Sequence, residues 1–142
     1  MENKVFLSHS EEETAKFAAE FAAGLKAGDV VCFYGGLGAG KTAFIKGIAR
    51  GLGIEEYVTS PTFTIMNQYK GRLMLYHFDI YRIADSDELY EIGWEEFVYG
   101  DGVAVIEWAE LAEDILPRER YNVTIEKGED ENYRKITIGY TK

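Results

Sequence analysis

The segment Gly35-Gly36-Leu37-Gly38-Ala39-Gly40-Lys41-Thr42 constrains the fold of this chain more than any other stretch. Its spacing, G-x-x-x-x-G-K-[ST], requires a strand that runs into a glycine loop and a helix that leaves it. Both neighbours are present. Residues 30–34 form an apolar run bounded by glycines, as expected of a strand buried on both faces. Beyond Thr42, the apolar residues Phe44, Ile45, Ile48 and Leu52 recur at helical spacing until Gly51 and Gly53 stop the pattern. Such a loop gathers backbone amides and a helix N-terminus around an anion, and its glycines permit positive φ and close approach of phosphate. Lys41 reaches the β- and γ-phosphates of a nucleotide, and the Thr42 hydroxyl is a ligand for Mg²⁺. Gly35, Gly36, Leu37, Gly38, Ala39, Gly40, Lys41, Thr42 and Ala43 are therefore the candidate nucleotide-binding residues.

The rest of the chain fits one α/β domain around that unit. With 142 residues, 46% of them hydrophobic, it holds one sizeable core and not two. Ser10 and Glu13 have the spacing of a capping box, and Phe17, Ala18, Phe21, Ala22 and Leu25 then share a helical face, predicting a first helix over about 11–26. Residues 64–69 and 72–78 read as a hairpin joined by Lys70-Gly71, which makes the sheet mixed rather than wholly parallel. A short helix is expected over about 85–92 and an apolar strand over 103–106. Pro117 breaks the chain before a closing hairpin of residues 121–126 and 134–138. The chain has no repeats, low-complexity tracts or linkers.

Composition narrows the function. No apolar run reaches the ~20 residues of a membrane helix, and residues 1–10 lack a signal peptide's layout, so a cytoplasmic protein is expected. The single cysteine, Cys32, lies in an apolar strand and reads as a buried structural thiol. Twenty-five acidic residues against fifteen basic ones give a net charge of −10, which disfavours direct binding of nucleic-acid phosphates and is compatible with protein partners. Guanine-specific P-loop proteins carry an N-K-x-D segment, and its absence favours ATP. The six arginines are spread along the chain, so the arginine-rich lid of a small-molecule kinase is not evident.

A P-loop site also needs an acid near the metal, placed where a buried strand ends. Glu107 follows the apolar run 103–106, and Asp79 ends 73–78. One would hold Mg²⁺ and the other orient the attacking water, although each could equally cap a turn. His77 reads as a hydrogen-bonded strand residue or a functional contact. Ser60, Thr62 and Phe63, within Ser-Pro-Thr-Phe-Thr, occupy a place where P-loop proteins carry a γ-phosphate-sensing segment, or else a proline-fixed turn. Trp108, beside Glu107, is either packed or functional.

The P-loop, residues 58–64 (Val-Thr-Ser-Pro-Thr-Phe-Thr), residues 75–82 (Leu-Tyr-His-Phe-Asp-Ile-Tyr-Arg) and residues 105–110 (Val-Ile-Glu-Trp-Ala-Glu) together closely resemble the bacterial TsaE family, formerly called YjeE. The likeness runs from the first helix to about residue 110. It implies a three-layer P-loop NTPase fold with a mixed sheet. It also implies a Mg²⁺-dependent ATPase, weak alone, that serves N6-threonylcarbamoyladenosine formation at position 37 of ANN-decoding tRNAs. The partners would be the proteins TsaD and TsaB, with tRNA met through the complex. Position by position, Lys41 and Thr42 match phosphate and Mg²⁺ residues, Glu107 the Mg²⁺-side acid, Asp79 an acid needed for hydrolysis and Trp108 a functionally important aromatic. Thr14 falls near the adenine-side region, and Ser60, Thr62 and Phe63 belong to the switch-like segment. Arg82 is the in-chain candidate for an arginine finger. Gly36 departs from the family, which usually carries an acid there, and leaves in doubt any partner contact made by that acid. The alternative reading is a nucleotide-gated interaction module in which ATP binding, not hydrolysis, controls partners.

Overall fold

A computed structural model describes residues 3–34, 40–56, 58 and 65–141. Among these, seven strands form one sheet in the order β1-β7-β6-β2-β5-β4-β3. The strands are β1 (Lys4–Ser8), β2 (Val30–Phe33), β3 (Met66–Lys70), β4 (Met74–Asp79), β5 (Val103–Glu107), β6 (Arg120–Lys127) and β7 (Arg134–Thr141). The neighbours β6-β2-β5-β4 pair in parallel, while β3, β7 and β1 add antiparallel edges. The sheet is thus mixed, as the hairpins in the sequence require.

Helices cover both faces, giving three layers. On one side lie α1 (Glu11–Ala23) and α2 (Lys41–Gly51), packed through Phe17, Phe44, Ile48 and Leu52 onto Val31, Phe33, Leu75, Val103 and Val105. On the other lie α3 (Asp87–Glu91), α4 (Trp94–Val98) and a kinked 3₁₀ segment, Ala109–Ile115, which cover Cys32, Phe78, Ala104 and Ile106 with Leu89, Trp94 and Ala112. Strand alternation decides this division, since Val103 and Val105 face α2 whereas Ala104 and Ile106 face α4. Phe44, wholly buried with its ring 5.4 Å from that of Phe33, contributes roughly 1.5–3 kcal/mol by burial alone.

α1 and α2 approach unusually closely because α2 carries Gly47 and Gly51 on the facing side. A Cβ on Gly47 would overlap the Ala15 carbonyl and stand 2.6 Å from the Ala18 methyl, and one on Gly51 would meet the Ala19 carbonyl and the Ala22 methyl. The roughly 1 kcal/mol that a mid-helix glycine such as Gly47 costs is the condition for that contact.

Several boundaries differ from the sequence reading. α1 stops at Ala23 rather than near residue 26, where the Gly24 amide closes on the Phe21 carbonyl. The β3–β4 connection is wider than Lys70-Gly71, because Lys70 pairs with Met74. Arg72, expected in the second strand, instead donates from its backbone to Leu52 and from its guanidinium to the Ala22, Ala23 and Leu25 carbonyls. It thereby satisfies the unpaired carbonyl end of α1. β1, α4 and the 3₁₀ segment were not expected at all. Cys32 is fully buried, and that burial pushes its thiol up to about 12, so it is inert as a nucleophile.

Candidate functional site

The site is assembled where parallel strands end beside the N-terminus of α2. Register aligns three residues across those ends: Phe33 on β2 stands opposite Glu107 on β5, which stands opposite Asp79 on β4. Gly40, at φ 96°, turns the chain into α2, and its carbonyl accepts the Phe44 amide. Lys41, Thr42 and Ala43 form the first turn of α2, and the backbone amides of such a turn are suited to an anion. Lys41 is buried to 6% exposure, whereas Thr42 is exposed at the helix start.

The two acids differ in surroundings. Glu107 is 6% exposed, and its Oε2 lies 2.7 Å from Nε2 of the buried His77. Asp79 is half-buried, and its Oδ1 accepts the Tyr81 amide at 3.2 Å. Burial raises the Asp79 carboxyl above its ordinary value, helped by the charge of Glu107 and opposed by the Tyr81 hydrogen bond and the charge of Lys41.

Trp108 follows Glu107 at φ 62°, the sole non-glycine residue with positive φ among the described residues. That backbone costs on the order of 1–2 kcal/mol, and it brings the indole under the Lys41 ammonium, 4.8 Å from the ring centroid. The ring of Tyr81, a residue 56% exposed, lies 4.7 Å from that of Trp108.

A cleft of about 220 Å³ opens on the other side of the α2 N-terminus, lined by Ser10, Glu11, Thr14, Gly40, Thr42, Ala43, Asn132 and Arg134. Thr14 is buried on its wall, with its hydroxyl 2.7 Å from that of Ser8. Arg134 donates to the Glu131 and Tyr133 carbonyls, and its Nε is buried without a partner among the described residues.

The structure therefore brings Lys41, Asp79, Glu107, His77 and Trp108 together, and places Thr42, Ala43 and Thr14 on the adjoining cleft. Arg82 is exposed on the segment after β4, with no hydrogen bond or ion pair among the described residues. Gly35, Gly36, Leu37, Gly38, Ala39, Ser60, Thr62 and Phe63 lie outside the described residues. Sequence reasoning missed Asn132, in the polar β6–β7 turn without a motif, and Arg134, at the start of β7, which both reach the cleft. The hard oxygens of Thr42 and Glu107 are of the kind Mg²⁺ takes, since that ion binds few protein ligands and keeps several waters.

An α/β domain with a mixed sheet and a lysine-bearing helix N-terminus at its parallel strand ends defines the class. The family model "Threonylcarbamoyl adenosine biosynthesis protein TsaE" matches residues 8–136, and the chain belongs to that family. A Treponema pallidum protein named as a tRNA threonylcarbamoyladenosine biosynthesis protein TsaE is 46% identical over 93% of this chain and 97% of its own length. A Bacillus subtilis protein of the same name is 49% identical over 89% of this chain and 79% of its own. The crystal structure of Bacillus subtilis YdiB superposes with a TM-score of 0.83 at 39% identity, over 99% of this chain and 87% of that one. No described helix is long and apolar enough to cross a membrane.

Proposed function

We propose that this chain is the ATP-binding and ATP-hydrolysing subunit of the cytoplasmic machinery that forms N6-threonylcarbamoyladenosine at position 37 of ANN-decoding tRNAs. It works with TsaD and TsaB and does not itself transfer the group. The observation that carries the reading is the meeting of Lys41, Glu107 and Asp79 at the start of α2. Lys41 and the first-turn amides of α2 hold the β- and γ-phosphates. Thr42 and Glu107 would hold Mg²⁺, which supplies neutralisation of charge on the phosphate oxygens. Asp79 faces the same site and orients the attacking water. The nucleoside, continuing past Ala43, enters the cleft between Thr14 and Arg134.

Turnover by the isolated chain is slow in this reading. Arg82 is exposed after β4, and a partner covering that face would position it or bring an arginine of its own, worth ~10³ or more in rate. The net charge of −10 fits contact with tRNA through the complex rather than by this chain. A second reading, a nucleotide-gated interaction module, draws on the Lys41–Trp108–Tyr81 contacts, which link the phosphate-side lysine to an exposed aromatic.

The test is ATP turnover in Mg²⁺ by the purified protein, alone and with TsaB and TsaD from the same source, with and without substrate tRNA. Strong stimulation by the pair, absent in Lys41→Ala, is expected. ATP binding without stimulation would overturn the partner-dependent ATPase in favour of the gated module.

A further inference from the structure

The buried pair at the centre of the site has a geometry that the roles assigned so far do not use. His77 and Glu107 sit on neighbouring parallel strands, and His77 stands opposite Val105, so Glu107 projects from the same face two residues further on. Their side chains meet at 2.7 Å, with exposures of 1% and 6%. Among the described residues, the imidazole Nδ1 is buried without a hydrogen-bond partner. A carboxylate oxygen can only accept, so at this contact the imidazole Nε2–H donates to Glu107 Oε2. One carboxylate oxygen is thereby tied to the sheet.

We infer that His77 is the positioning residue of this site: its Nε2–H fixes the Glu107 carboxylate in the orientation that receives the divalent cation. The inference rests on the reading of Glu107 as a cation ligand. Strand register enforces the arrangement, because both residues lie inside hydrogen-bonded strands rather than on loops, and a second hydrogen bond that aims a ligand governs how well it binds metal. Leucine at 77 would fill much of the space and leave the carboxylate free to rotate, while glutamine can return an N–H donor at similar reach.

The experiment titrates Mg²⁺ against binding of a fluorescent ADP analogue, and measures kcat and KM, in wild type, His77→Leu, His77→Gln, Glu107→Gln and the His77→Leu/Glu107→Gln double variant. Thermal melts establish that each is folded. In His77→Leu the Mg²⁺ midpoint is expected to rise and kcat to fall, each about 10-fold or more, with Mg²⁺-free affinity for the analogue unchanged. His77→Gln should recover most of both, and the double variant should be no worse than Glu107→Gln alone. A wild-type midpoint in His77→Leu beside a defective Glu107→Gln would overturn the positioning role alone. So would additive losses in the double variant, or a folded His77→Gln with a shifted midpoint. A wild-type midpoint in Glu107→Gln would overturn the ligand reading, and this inference with it. Should His77→Leu fail to fold, the His77→Gln midpoint decides.

Discussion

On the chemical side of the site, Asp79 and Glu107 arrive on adjacent parallel strands whose register puts them side by side. On the side of the cleft, the wall is made by the first turn of α1 with Thr14 and by the β6–β7 hairpin with Asn132 and, at the start of β7, Arg134. Parallel strands end together, so they deliver functional groups at one level without needing loops to place them. Antiparallel strands deliver groups only through their turns. The first wall is therefore rigid and buried, as the 6% exposure of Glu107 and Lys41 indicates, and the second is open. Chemistry should depend steeply on the first, and affinity more gently on the second.

Substitutions can break or sharpen that contrast. The largest effect is expected from Lys41→Ala, which removes the ammonium that acts on Asp79 and lies over Trp108. Nucleotide binding measured by calorimetry should fall below detection, a loss of ~3 kcal/mol or more. Next, Glu107→Gln and Asp79→Asn should each lower turnover roughly 10²–10³-fold, while Mg²⁺-free nucleotide affinity stays near wild type. Unchanged turnover in both would remove the assigned roles. On the opposite wall, Arg134→Ala should weaken nucleotide affinity by about 1 kcal/mol and leave kcat unchanged, and an equal loss of kcat would erase the distinction between the walls.

The smallest effect concerns stability. The folded state raises the Asp79 carboxyl through burial, so ionised Asp79 costs stability above its raised folded value, and the cost fades as pH falls through that value to the unfolded one. Asp79→Asn, which can still accept the Tyr81 amide, should therefore melt slightly higher than wild type at neutral pH. The difference should vanish below the ordinary carboxylate range, as thermal melts across pH would register.

The chemical wall was legible in the sequence because its elements announce themselves. The apolar run of β5 stops at Glu107, the run of β4 stops at Asp79, and the glycine loop opens onto Lys41 and Thr42. α1 was equally legible through its capping box, since the Ser10 hydroxyl does accept the Glu13 amide. What escaped was short or doubly apolar. β1 exposes Val5 and Leu7 while packing a half-buried Phe6 against Phe17, so its alternation is masked by apolar residues on both faces. α4 spans five residues and begins at Gly93 without a side-chain cap, too short for a helical period to repeat. Arg134 escaped for another reason. Its presence at the cleft depends on where β7 lies relative to α2, which no local pattern encodes.

The close contact between α1 and α2 acquires a further meaning once the cleft is considered. α1 carries Ser10, Glu11 and Thr14 on one wall, and α2 carries Thr42 and Ala43 on the floor. The spacing between wall and floor is set a turn or more away, where Gly47 and Gly51 let the Ala15 and Ala19 carbonyls touch the backbone of α2. The two helices therefore act as a caliper locked at one setting. A single methyl added at Gly47, outside the lining of the cleft, would reopen the jaws, so the width of the cleft is a tolerance machined into the helix pair rather than an adjustment made by the side chains that line it.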